Sequence, residues 1–221
     1  MIKQNSMMLM RQWTLTPAAL TRALVTCTEA KTAAIQELLA PSRYSMGLAT
    51  GSGTDGTILA ANRDSDVLLT NAGKHSKLGE LIGKAVKQAV KQALSNQSGL
   101  NPRRQHQVSQ RIDRFGITEQ SLWEEFKNRD TGLNRAEFSQ KFDQLSRQSH
   151  MVTACSLYAH LLDQLMWELL DPEETWAMGQ TLLAAMQGKH LPVTSGPADR
   201  QEMLTHMIRA LSDTLLTLLT V

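Results

Sequence analysis

Apolar residues recur at helical spacing along two long stretches of the N-terminal part. Leu20, Leu24, Cys27, Ala34 and Leu38 form one such stripe, with Thr16 as a cap and Pro17 in the first helical position. They predict a helix that runs to about Leu39, where Ala40-Pro41-Ser42 stops it. Leu78, Ile82, Ala85 and Ala89 form a second stripe, opposite Lys77, Glu80, Lys84, Lys87 and Lys91, and predict a helix over about 76–94. Residues 6–15 have the length and composition of a strand. Tyr44–Ala49 and Thr57–Ala61 are short runs on either side of the loop Thr50–Gly56, and Val67-Leu68-Leu69 is another apolar run. Asn96–Pro102 reads as a linker, after which the pattern changes. Residues 102–221 hold no convincing strand and predict helices at roughly 103–113, 118–128, 134–146, 150–170, 172–187 and 198–219.

The expected fold class is therefore α+β. A small mixed sheet with helices forms the N-terminal part, 1–98, and an all-α part follows over 99–221. The composition, 42% hydrophobic and 20% charged over 221 residues, is that of a globular protein and excludes a disordered tail or a collagenous chain. A net charge of +2 gives no global attraction to nucleic acid or membrane. The four-residue run Met7–Met10 is too short for a secretory core, and no run is long enough to span a bilayer, so a soluble cytoplasmic protein is expected. Cys27 and Cys155 read as buried free thiols in a reducing compartment.

Several segments bear on chemistry. Thr50–Gly56 carries three glycines with Ser52, Thr54 and Asp55, and such a loop presents backbone N–H groups to a polar ligand. It is neither a Walker loop nor a dinucleotide fingerprint, and on spacing alone it reads as a hairpin connection. Gly73–Glu80 enters a helix, where free amides and the positive dipole end favour an anion and where His75 has the chemistry of a general acid or base. The competing reading makes His75 or Ser76 a simple cap, and Glu80–Lys84 an ordinary surface pair. Nine basic side chains between Lys74 and Arg114 face only Glu80 and Asp113, and read as a solvated face. Asp130–Phe138 imitates a calcium loop. Its Glu137 lies five residues after Gly132 instead of six, and Lys127 and Arg129 stand at ligand positions, so it is a decoy. His160 and Asp163 lack a third ligand, and His160 reads as a core or interface histidine.

Three ordered segments change the picture: Thr28-Glu29-Ala30-Lys31-Thr32-Ala33-Ala34, Gly47–Asp55 and Ala72–Gly83. Over about residues 7–94 they resemble the C-terminal half of the adenosylcobinamide amidohydrolase family of corrinoid salvage. The resemblance implies hydrolysis of the amide joining aminopropanol to the corrin side chain, giving adenosylcobyric acid. A cobalt corrinoid is then the substrate, with no cofactor required and no resident metal. Amide hydrolysis needs an activated nucleophile, an oxyanion stabiliser and an acid for the departing amine. Within the matched motifs, Asp55 or His75 is assigned to activate water or Thr54, Lys74 or loop amides to hold the oxyanion, and His75 to protonate the amine. Gly51, Ser52, Gly53 and Gly73 are assigned to substrate binding, with Glu29 and Lys31 behind them. A further role for His75 is to ligate cobalt from below.

Family members carry a further N-terminal stretch, and nothing like it precedes Met1. The chain is expected to be a truncation, a shortened gene, or one half of a two-chain enzyme. The partners expected are a corrinoid, but neither nucleic acid nor membrane, with a second copy or a companion chain as protein partner. Two rival readings are a non-catalytic corrinoid-binding or regulatory protein, and a helical interaction module with a remnant motif domain.

Overall fold

The computed structural model describes residues 3–10, 13–127, 129, 132–189, 192 and 194–220, with residues 3–10, 54 and 55 described by backbone alone. The chain divides into two compact units, Met1–Gln105 and His106–Val221. The α+β expectation holds: strands occur in the first unit, and helices make up the second among the described residues.

The first unit is built on a βαβα plan. Strand β1 (Lys3–Met10) and the short β2 (Thr14–Leu15) precede helix α1 (Pro17–Glu37), and β3 (Thr54–Ala61), β4 (Leu68–Leu69) and α2 (Lys77–Ser98) follow. β1 pairs with β3 in parallel, Lys3 opposite Thr54 through Met10 opposite Ala61, and β2 pairs with β4 in parallel. Parallel strands need a crossover, and α1 supplies it. Of the expected strand over 6–15, residues 11 and 12 lie outside the described residues; on either side of them β1 and β2 pair with different strands, and residues 62–67 form a bulge between those partners. The Thr14 hydroxyl holds that bulge by donating to the Asn62 carbonyl at 2.7 Å and the Ser65 carbonyl at 3.1 Å.

The expected hairpin at Thr50–Gly56 is corrected. Tyr44–Ala49 forms no strand; Leu48 makes an isolated antiparallel bridge to Pro41, and Tyr44 is exposed. The loop therefore delivers the chain from the end of α1 to the start of β3, whose partner is β1.

Thr16 caps α1 by accepting from the Ala19 N–H at 3.2 Å, with Pro17 at the first position, as the sequence predicts. The buried face of α1 is lined by Ala19, Ala23, Cys27, Ala30, Ala34 and Ile35, whereas Leu24 is exposed. Ser76 caps α2 by accepting from the Gly79 N–H at 3.0 Å, and Gly99 ends it at a φ of 69°. The helix runs through Asn96, which shortens the expected linker. Its buried row is Leu78, Ile82, Val86, Val90 and Leu94, so Ala85 and Ala89 lie outside. This row and the small-residue face of α1 share one core, with Trp13, Leu15, Leu59 and Leu69 packed at its margin.

In the second unit the expected helix over 103–113 is broken. Helix α3 (Pro102–Gln105) still belongs to the first unit, α4 (Val108–Ile112) to the second, and a 3-10 turn follows over Asp113–Phe115. Then come α5 (Glu119–Phe126), α6 (Arg135–Ser146), α7 (Ser149–Met166), α8 (Pro172–Gln187) and α9 (Arg200–Leu219). Phe126, Phe138, Tyr158, Leu162, Met207 and Leu211 are core residues of this unit. Buried among them, Arg114 and Asp163 form a bidentate ion pair with both N–O distances at 2.6 Å. Among the described residues, no helix is long and apolar enough to cross a membrane.

Candidate functional site

The three sequence segments singled out above meet on one helix. The Thr26 hydroxyl, buried on α1, donates to the Ala72 carbonyl at 2.9 Å. One turn further on, Glu29 pairs with Lys74 at 3.0 Å. One turn beyond that, the Thr32 hydroxyl donates to the Thr50 carbonyl at 2.8 Å. Positions spaced by three fall within an arc of about 120°, and six residues rise about 9 Å. One side of α1 therefore holds the ends of both glycine-bearing loops, about one and two-thirds helical turns apart.

The second loop is tightly determined. Asn71 Oδ1 accepts from the Gly73 N–H at 2.8 Å, and the Ser76 hydroxyl donates to the Gly73 carbonyl at 2.8 Å. Gly79 is the glycine on which this loop depends. A Cβ there would stand 2.0 Å from the Gly73 carbonyl oxygen and 2.9 Å from that of Ala72. The spacing Gly73–Gly79 thus reflects a backbone lying directly on the first turn of α2. At Gly73 a Cβ would meet Asn71 Oδ1 at 3.1 Å and Arg22 Nε at 3.4 Å. Gly51 meets nothing within 4 Å and has no positive φ, so neither crowding nor a left-handed backbone requires a glycine there.

The assigned side chains are placed as follows. Lys74 and His75 are exposed at the tip of the loop, with Lys74 held by Glu29. Ser76 is the α2 cap, as one of the two competing readings has it. Ser52 is half-buried, and Gly51 and Gly53 are exposed. Lys31 is 4% exposed, on the buried side of α1 one turn after Cys27. Its positive charge opposes the burial that raises the Cys27 thiol above its ordinary value. The backbones of Thr54 and Asp55 open β3 opposite Lys3 and Gln4, and their side chains lie outside the described residues. Spacing alone did not point to Thr26, Asn71 or Gly79. Thr32 and Gly79 lie inside the quoted segments, which was the available signal.

The other candidates resolve into structural roles. Part of the basic run pairs with carboxylates distant in sequence: Lys87 and Lys91 with Glu37, Lys74 with Glu29 and Arg114 with Asp163. Lys77 and Lys84 pair with Glu80 at 2.8 and 2.5 Å and hold its carboxyl down at about 2, the Lys77 hydrogen bond being the larger cause. Glu137 completes the cap of α6: its carboxylate accepts from the Asn134 N–H at 2.9 Å, while Asn134 Oδ1 accepts from Ala136 and Glu137 N–H groups. Asp130 and Thr131 of the imitation calcium loop lie outside the described residues. His160 is exposed, 3.3 Å from Gln164, which corrects the core alternative of its core-or-interface reading; the buried member of that pair is Asp163. Cys27 and Cys155 are buried free thiols, as expected.

Comparison with known proteins agrees with the resemblance. Residues 5–102, the N-terminal part of this chain, match the family model described as adenosylcobinamide amidohydrolase. An uncharacterized protein of Methanocaldococcus jannaschii is 45% identical over 84 residues, which are 38% of this chain and 32% of that protein. The chain thus spans about a third of the length of the curated relative it matches. No solved structure matches.

Proposed function

From the family match over residues 5–102 we propose that this chain hydrolyses the aminopropanol amide of adenosylcobinamide, releasing adenosylcobyric acid. The observation that supports it most is the convergence on α1: Thr26, Glu29 and Thr32 tie the loops at Ala72–Lys74 and Thr50 to one helix side. Segments that are far apart in sequence but carry the family match are thereby gathered at one place.

The chemistry follows from the groups in these segments. Asp55 takes a proton from water, and the hydroxide adds to the amide carbon. Lys74 and loop N–H groups hold the oxygen that becomes negative. The carbon–nitrogen bond breaks as His75 gives a proton to the departing aminopropanol nitrogen, leaving a carboxylate on the corrin side chain. Glu29 pairs with the Lys74 ammonium at 3.0 Å at the loop tip. The exposure of His75 suits a group that exchanges its proton with water between turnovers.

His75→Ala separates the two roles open to this residue. If His75 is the acid, the variant loses turnover while the visible spectrum of bound cobinamide is unchanged. If it ligates cobalt, the spectrum shifts. Full turnover with an unchanged spectrum contradicts both.

A further inference from the structure

A cleft of about 390 Å³ lies against the outer wall of the loop that carries Lys74 and His75. Its apolar lining is Trp13, Leu68, Leu69, Leu78 and Leu81. Two of these leucines are left largely to water: Leu68 is 57% exposed and Leu81 43%. They come from separate elements, β4 and α2, and line one cavity whose other walls are the half-buried Trp13 and the core residue Leu78. Single exposed leucines are unremarkable, but an apolar hollow of this size that retains a few polar groups has the character of a ligand site.

The polar groups are informative. Asn71 and Ser76 line the cleft, and the same two side chains hold Gly73 by its N–H and its carbonyl, each at 2.8 Å. The cleft and the proposed reaction loop therefore share a wall, and whatever fills the one abuts the other. The charged group at the rim is Lys77, which is committed to Glu80 at 2.8 Å. The apolar lining favours a ligand with an apolar edge.

We infer that this cleft is the subsite that receives the methyl-bearing rim of the corrin macrocycle, with Leu68 and Leu81 closing on it. The inference rests on the amidohydrolase reading above. A cleft of this volume takes one edge of so large a ring and leaves the rest of the ring outside it. Leu68 and Leu81 are then specificity residues that contact substrate away from the bond that breaks.

The test is steady-state release of aminopropanol from adenosylcobinamide by the full chain, by Leu68→Asn, by Leu81→Asn and by the double variant. Leu157→Asn, which alters an exposed leucine of the second unit, serves as control. Removing apolar contact made equally in ground and transition states raises KM and leaves kcat alone, so the double variant should show KM up about ten-fold with kcat nearly constant. Alanine replaces asparagine wherever circular dichroism shows lost helix. A native chain that turns over normally while the double variant keeps its KM overturns the subsite and leaves the amidohydrolase reading standing. A changed sedimentation coefficient with unchanged KM overturns it in favour of an interface between copies. A native chain that neither binds nor cleaves the corrinoid removes both readings together.

Discussion

Gly79 is the residue whose identity the fold constrains most sharply. The Gly73 carbonyl oxygen sits where its Cβ would be, at 2.0 Å, and that atom is backbone, held in turn by Ser76. Gly79→Ala should cost about 2–3 kcal/mol in a denaturant titration, because the loop must lift off the helix. It should also lower turnover, while the neighbouring Gly83→Ala, where nothing lies within 4 Å, should leave stability unchanged or slightly improved. Cys155 gives a prediction in pH. Burial pushes its thiol up from 9.0 to about 12, so between those values the unfolded chain loses its proton while the folded chain keeps it. The Cys155 contribution should be constant below about pH 9 and be lost from there toward pH 12. The neighbouring Tyr158 hydroxyl, raised by the same burial, adds to the decline. Urea midpoints at pH 8, 10 and 11 check this, and Cys155→Ala should flatten part of the slope at the expense of a cavity.

Local signals in the sequence specify whole elements where capping decides. Thr16-Pro17 starts α1 and Ser76 starts α2 because each hydroxyl accepts from an N–H three residues on, a rule needing no distant partner. Ser76→Ala should cost about 1 kcal/mol, seen as a lower melting temperature, and should loosen the Gly73 carbonyl that the same hydroxyl holds. Where partners are remote, periodicity misleads. Ala85 and Ala89 fit a helical stripe as well as Val86 and Val90 do, and the packing against α1 selects the valines. The parallel pairing of β3 with β1 was equally hidden, since a glycine loop between two short apolar runs has the same pattern as a hairpin. In the second unit, the Arg114–Asp163 pair joins the turn after α4 to α7, and its side chains are 7% and 8% exposed. Arg114→Met alone strands a buried carboxylate and should cost about 3–5 kcal/mol, whereas Arg114→Met with Asp163→Leu should recover most of that loss. Guanidinium unfolding of the three proteins measures it.

At the scale of the molecule, the division into a strand-containing first unit and a helical second one was legible, because hydrophobic patterning changes near Pro102. The convergence of the motifs on α1 was not. The segments stand in order along the chain, but nothing in their spacing says that Thr26, Glu29 and Thr32 point to one side and hold two loops. Threonine hydroxyls in helices ordinarily bond back to their own helix, as Thr28 does to Leu24, so the cross-loop bonds leave no trace in composition. The account stands or falls on whether that gathered site cuts an amide. The purified 221-residue chain should release aminopropanol from adenosylcobinamide in step with adenosylcobyric acid, and Asp55→Asn and His75→Gln should each slow this by about a hundred-fold or more. No release by the native protein, or release that both substitutions leave untouched, would contradict it.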